Sequence, residues 1–265
     1  MNVRHAQTAA IRAAHAAGSV MRKNLALSKK VNEESSHDIK LDLDVRCQKL
    51  IGKLLQQSCP GVALFGEEGS TGADNAPYRW VVDPIDGTVN FAHGLPHAAV
   101  SIALQERARS KREADYPDGY RTLVGVVLDP FQNELWTAMR GGRALMNGKP
   151  VRVSRIRTLR EAMVTIGFSK SRASLEQALP YFTWLVRRVR KVRMLGSAAL
   201  GLTYVATGRL DAYMERQINL WDFAAGGLIV QCAGGRFWTE PGAIPGKYRM
   251  IASNGLIHSQ LRIPR

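Results

Sequence analysis

The chain is short of cysteine, of acid and of long apolar runs, and each shortage excludes something. Cys47, Cys59 and Cys232 are the only cysteines in 265 residues. They are odd in number and lack short metal-ligand spacing, so neither a disulfide framework nor a zinc site is expected, and all three are read as packed, reduced thiols. No stretch approaches the apolar length that crosses a bilayer, and the opening residues lack a compact apolar region followed by a cleavage signal. A cytoplasmic protein without membrane contact is the expectation. There is no repeat, low-complexity tract or flexible linker. With 45% hydrophobic and 22% charged residues the composition is that of a globular chain, one large domain or two closely packed halves, which excludes disorder and collagen-like structure.

Acid is scarce against base: 22 Asp and Glu face 37 Lys and Arg, a formal charge of +15. Such a balance predicts attraction to polyanions or anionic substrates and says nothing about fold. No acid precedes Glu33, whereas Arg4, Arg12, Arg22, Lys23, Lys29 and Lys30 do. That bias also suits an organellar transit peptide. Ala10, Ile11, Ala14, Ala17 and Met21, however, recur at helical steps and predict an amphipathic helix.

A second helix is expected from Leu41 to Gln57, ended by Pro60-Gly61. Strands follow at Val62–Phe65, Tyr78–Val82, Ala98–Glu106, Thr122–Leu128 and Asn133–Met139. The charged segment Arg107 to Tyr120 reads as a solvated hairpin tip. Gly141-Gly142 and Asn147-Gly148 read as tight turns with positive φ. Beyond Pro150 the pattern becomes strand (Ala162–Gly167), helix (Ser174–Val189), helix (Ala198–Thr207), strand (Leu210–Met214) and helix (Trp221–Cys232), an α/β half after a mainly antiparallel one.

The strongest chemical signal is Trp80-Val-Val-Asp83-Pro-Ile-Asp86-Gly87-Thr88, where a hydrophobic strand delivers two carboxylates to a turn. Pro84 fixes φ after Asp83, and Gly87 permits a turn sharp enough for the Asp86 carboxylate and the Ile85 carbonyl to share a cavity. All-oxygen ligands suit Mg²⁺. Read alone, the motif is an ordinary Asp-Pro, Asp-Gly turn, Glu67-Glu68 a solvated pair, and Asp222 a helix N-terminal residue favoured by the dipole. Together, three sets of acids ending hydrophobic elements would repel one another without a cation. His93 and His97, four apart, are read as structural, because the neighbouring donors are all oxygen.

In order and spacing, Gly66-Glu67-Glu68, the run from Trp80 to Phe91 with Gly94 and Pro96, and Trp221-Asp222 with Ala225-Gly226 and Ala233-Gly234-Gly235 resemble the inositol monophosphatase family of Mg²⁺-dependent, lithium-sensitive phosphatases. The resemblance implies a layered αβαβα sandwich of the inositol monophosphatase and fructose-1,6-bisphosphatase type, usually dimeric. Residues 1–150 would then be an α+β half carrying most metal ligands. Residues 151–265 would be an α/β half with the substrate loop and the last ligand, the two forming one catalytic unit. It further implies that Glu67, Asp83, the Ile85 carbonyl, Asp86 and Asp222 ligate two or three Mg²⁺ ions. Glu67 and Thr88 would activate the attacking water, with Thr88 passing its proton to Asp44. Backbone amides from Ile85 to Thr88 would hold phosphate, Gly196-Ser197-Ala198 would be the substrate loop, and Glu215 with Asp222 would meet substrate hydroxyls.

The expected activity is hydrolysis of a phosphorylated polyol, foremost inositol 1-phosphate, with relatives acting on nucleotide bisphosphates, histidinol phosphate or fructose bisphosphate as alternatives. The family pattern of a Lys, a polar stretch and Val-Thr-x-x-Asp is replaced by His37-Asp38-Ile-Lys40-Leu41-Asp42-Leu43-Asp44. Leu41 stands at the Thr position and Glu33 or Glu34 near the Lys, leaving Lys40, Lys29 or Lys30 to supply any needed cation. A reading of another class takes Arg187 to Arg193 and Arg107 to Arg112 as contacts for nucleic acid or an acidic protein, although no recognition motif or aromatic platform accompanies them.

Overall fold

The computed structural model describes residues 1–27, 31–34, 39–168 and 172–261. The first half runs α1 (Val3–Asn24), β1 (Val31–Glu34), β2 (Ile39–Leu41), α2 (Asp42–Ser58), β3 (Ala63–Gly66), β4 (Gly69–Thr71), β5 (Tyr78–Asp86), α3 (Thr88–Ala92), β6 (Ala99–Arg107), β7 (Tyr120–Asp129), β8 (Glu134–Met139), β9 (Leu145–Met146) and β10 (Lys149–Pro150). After these come β11 (Met163–Ile166), α4 (Arg172–Val186), β12 (Lys191–Arg193), α5 (Ala198–Ala206), β13 (Ala212–Asn219), α6 (Leu220–Cys232), β14 (Arg236–Pro241) and β15 (Lys247–Ser253).

Strands β3 to β10 form one eight-stranded sheet in the order β10-β9-β8-β7-β6-β5-β3-β4, and β11 to β15 a five-stranded sheet in the order β12-β11-β13-β15-β14. Three apolar clusters separate five layers. The alanine stripe of α1 and the Leu43, Cys47, Ile51 and Leu55 stripe of α2 cover one face of the large sheet. Its other face buries Val81, Val127 and Trp136 against α5 and α6, which also pack on Tyr213 and Met250 of the second sheet. Tyr181 and Leu185 of α4 cover the far side, over Val164, Met214 and Ile251. The expected αβαβα sandwich is the observed architecture.

Gly125 of β7 marks how closely the middle layer sits: a Cβ there would lie 2.6 Å from the Ala225 carbonyl of α6. Gly125→Ala must push a helix backbone off the sheet. We expect a loss of about 1–3 kcal/mol, the usual cost of overpacking, read as a lower denaturant midpoint.

Several expectations need correction. The segment Arg107 to Tyr120 is exposed at Arg107, from Arg109 to Glu113 and at Pro117 and Asp118, but it is not a solvated tip throughout. Tyr116 and Tyr120 are buried and the acids beside them are paired: Asp118 with Arg79 at 2.5 Å and Asp115 with Arg140, while the Arg79 guanidinium lies 3.7 Å from the Tyr120 ring centre. The helix expected to reach Val189 stops at Val186, and the basic run goes on as the edge strand β12. Of the glycine turns, Gly141, Asn147 and Gly148 take positive φ (79°, 48° and 77°) and Gly142 does not. Cys47 and Cys59 are buried free thiols, and Cys232 is half-buried with its thiol 3.4 Å from the Met139 carbonyl. Among the described residues no helix is long and apolar enough to cross a membrane.

Candidate active site

Residues three apart on a regular strand point to opposite faces, so Asp83 and Asp86 need a local irregularity to meet. β5 supplies one. Asp83 pairs with Ser101 and Asp86 with Ala99, three residues against two, a bulge at Pro84-Ile85 that turns both carboxylates to one side. The Asp83 carboxylate accepts the Ile85 N–H at 3.0 Å and so fixes the bulge. Gly87 follows at φ 93°, where an added Cβ would approach the carbonyls of His97 and Gly196 at 3.0 and 3.1 Å.

Two helix N-termini bring in the rest. Asp86 accepts the Ala198 and Ala199 amides of α5 at 3.0 and 2.9 Å together with the Ser197 hydroxyl. Asp222, three residues into α6 from its cap Asn219, accepts the Asn219 amide at 2.9 Å. The helix-capping reading of Asp222 therefore holds alongside its place in the cluster. Oxygens of Asp83, Asp86 and Asp222 lie within 4.8 Å of one another. Glu67, at the turn after β3, is hydrogen-bonded to Asp83.

Burial and mutual repulsion raise every one of these acids. Desolvation, then Asp222, Asp44 and Glu68, push Glu67 to about 8. Desolvation and Asp86 bring Asp222 to about 7. Asp83 is held well above the carboxylate range by burial, then by Glu67 and Asp86. Asp86 rises only to about 6, since its donors from the start of α5 offset part of the burial. Lys247 is the cation that eases Asp222 and Glu215. An all-oxygen set short of positive charge fits a hard divalent cation better than it fits its own protons. No histidine or cysteine joins the cluster among the described residues.

The acids form one wall of a cavity of about 440 Å³ whose lining includes the Ile85 to Thr88 turn, Gly196, Ser197, Ala198 and Glu215. Asp44 stands behind Thr88, its Oδ1 3.4 Å from the hydroxyl, while the same hydroxyl lies 2.9 Å from the Ile85 carbonyl. Leu41, at the departure from the family pattern, is a fully buried core residue whose amide donates to Asp44 at 2.9 Å. Lys29, Lys30, His37 and Asp38 lie outside the described residues, as do the side chains of Glu33, Glu34 and Lys40. Ser197, Ala198 and Ala199 hold Asp86, a bond the motif reading did not contain. Arg193 is an exposed residue of β12. His97 packs its ring edge-on to Tyr204 at 6.0 Å, outside the cavity.

Three positioning residues escaped the sequence reading. Gln48 of α2 accepts the Glu68 amide and donates to the Gly69 carbonyl, both at 2.9 Å, and so sets the glutamate turn. Asn90 donates to the carbonyls of His97 and Leu195 at 2.9 Å, bracing the loop before Ser197. Tyr213 donates its hydroxyl to Glu215. Only Tyr213 carried a signal, two residues from Glu215 on one strand face.

The sequence profile of the inositol monophosphatase family matches residues 2–263. The Nus factor SuhB of Pseudomonas aeruginosa is 38% identical over 234 residues, 85% of this chain and 82% of that protein. The inositol-1-monophosphatase of a Synechocystis is 38% identical over 84% of this chain and 75% of its own length. Among solved structures, an inositol monophosphatase from Anabaena superposes with a TM-score of 0.82 at 30% identity, covering 98% of this chain and 94% of that one. Fold, acid cluster and relatives together place the chain in the inositol monophosphatase family, as a phosphatase of that family.

Proposed function

We propose that the protein hydrolyses the phosphate monoester of a polyol, with myo-inositol 1-phosphate as substrate and Mg²⁺ as cofactor. The observation that carries this reading is the gathering of Asp83, Asp86 and Asp222 within 4.8 Å, on the wall of a cavity that also holds Gly196, Ser197 and Glu215. Glu67, Asp83, the Ile85 carbonyl, Asp86 and Asp222 would hold the ions. When bound, Mg²⁺ supplies charge that screens the phosphate, eases deprotonation of water and stabilises the leaving alkoxide.

The chain's own groups do the remaining work. Glu67 orients the attacking water at the glutamate turn. Thr88 has one hydroxyl proton and two acceptors, so whenever the Ile85 carbonyl is engaged elsewhere that proton turns to Asp44. Burial lifts Asp44 to about 7, which suits a group that takes up and releases a proton near neutrality. The amides of Gly87 and Thr88 face the phosphate end, and Glu215 accepts from vicinal hydroxyls at the other.

Phosphate release in Mg²⁺ from inositol 1-phosphate, histidinol phosphate, fructose 1,6-bisphosphate and a nucleotide bisphosphate tests the substrate. Fast release from another ester beside negligible inositol phosphate turnover refutes the specificity. Thr88→Ala should lower kcat by about 10²–10³-fold, the scale of one lost proton-transfer partner, while Thr88→Ser keeps most of it. Equal kcat in the two variants removes the relay.

A further inference from the structure

The basic run that the active site leaves unused forms a surface of its own. β11 and β12 are parallel neighbours, Met163 beside Lys191 and Thr165 beside Arg193. The amides of Arg190 and Lys191 both reach the Ala162 carbonyl, at 2.9 and 3.4 Å. That contact sets the turn carrying Arg160 (Leu159–Glu161) against the α4 to β12 connection carrying Arg187, Arg188, Arg190 and Lys191. All five side chains are exposed, and none is in an ion pair among the described residues. The acid in this patch, Glu161, accepts the Thr158 hydroxyl at 2.8 Å.

Simpler duties account for little of this. Arg188 donates to the Trp184 carbonyl at 3.3 Å and complements the C-terminus of α4, which leaves four cations unassigned. They do not serve the phosphatase site. The cavity is lined from the opposite ends of the same strands, by Gly167 and Phe168 after β11 and by Met194 to Ala198 after β12. Four strand residues at about 3.3 Å each separate the two ends.

We propose that the N-terminal ends of β11 and β12, with the connection from α4 to β12, dock the phosphate backbone of a nucleic-acid duplex without reading its sequence. Charge complementarity selects the occupant: closely set, unpaired arginines meet the high linear charge density of a duplex. Among the described residues the surface offers no free ring for stacking bases, because the Arg188 guanidinium lies 4.8 Å from the centre of the Trp184 ring, and single-strand binders depend on such rings. It also presents an edge strand and a short turn in place of a projecting helix, so base readout is not part of the contact.

The test is fluorescence anisotropy of a labelled 20-base-pair mixed-sequence DNA duplex with the full chain at several salt concentrations. Binding is expected at low salt, with log K falling linearly in log[salt]. The variant combining Arg160→Gln, Arg187→Gln, Arg190→Gln and Lys191→Gln should bind at least about tenfold more weakly, with a slope flatter by about 2–4, given roughly 0.9 per phosphate contact. Its melting temperature and phosphatase activity should match the parent's. A variant neutralising Arg109, Lys111 and Arg112 on the β6–β7 loop should bind like the parent. Absence of duplex binding at low salt, an equal loss in the loop variant, or equal affinity for a single strand or for polyglutamate overturns the proposal.

Discussion

Replacing Asp83 by Asn lowers phosphate release by at least about a thousandfold, roughly 4 kcal/mol of transition-state stabilisation, and leaves the chain folded. The reason lies in how each acid is wired. Asp83 is 2% exposed, and its one backbone bond, from the Ile85 amide, is kept by an Asn carbonyl oxygen. What disappears is a negative charge pressed against Glu67, Asp86 and Asp222. Without a cation the variant should therefore be at least as stable as the parent, and Mg²⁺ should no longer raise its melting temperature as it does the parent's. Asp86→Asn is the instructive contrast. Both Asp86 oxygens accept from the start of α5, and an Asn amide turned toward the Ala199 N–H leaves it unsatisfied at about 1–3 kcal/mol. Both variants lose activity, and only Asp86→Asn loses stability. Retention of full activity by Asp83→Asn removes the metal-site argument.

That contrast also shows what was legible in the sequence. The motif from Trp80 to Thr88 is readable because its acids are neighbours in the chain and end one hydrophobic run. The bulge that makes their spacing of three work is not, since β5 reads as an ordinary strand until its pairing with β6 is known. Asp44 reaches Thr88 across 44 residues, and only the family resemblance pointed to that contact. Gln48 had no signal at all, its two bonds being to backbone atoms of a distant turn. In the second half two of the misses share a cause. β12 is three residues, two of them exposed cations, and β14 is a sheet-edge strand with a half-buried or exposed pattern ending on Pro241. β12 is too short for its single alternation to mark a strand and β14 shows none; pairing with β11 and β15 holds them where burial does not. The loop before β7 was misread because charges outnumber its two tyrosines, although the tyrosines decide where it packs.

Freed of metal by a chelator, the protein should lose stability between pH 6.5 and 8.5, and Mg²⁺ should restore it most at the alkaline end. The sign follows from linkage. Unfolded, the carboxyl groups titrate near 3.8 and 4.5; folded, Asp44 and Asp222 rise to about 7 and Glu67 and Glu215 to about 8, chiefly through burial. A group raised on folding contributes stability that is full below its unfolded value and is lost as pH climbs through its folded one. Two histidines act with the opposite sign. Burial lowers His97, and His258 to about 4, so stability grows as pH rises to their ordinary value of 6.5 and no further. Above 6.5 the unfolded chain has shed both sets of protons, and the raised acids of the folded chain, Asp83 with the four above, account for the slope. A cation in the cluster replaces those protons, so its effect should be small at pH 5 and large at pH 8.5. At a hundred times its dissociation constant Mg²⁺ adds about 2.7 kcal/mol, a rise of roughly 5–10 °C in melting temperature for a chain of this size. Melting curves with and without Mg²⁺ across that range give the answer. A metal-free melting temperature that is flat or rising from pH 6.5 to 8.5 means that the acids do not confront one another in the folded chain. An Asp83→Asn variant, one repelling charge lighter, should show the shallower slope.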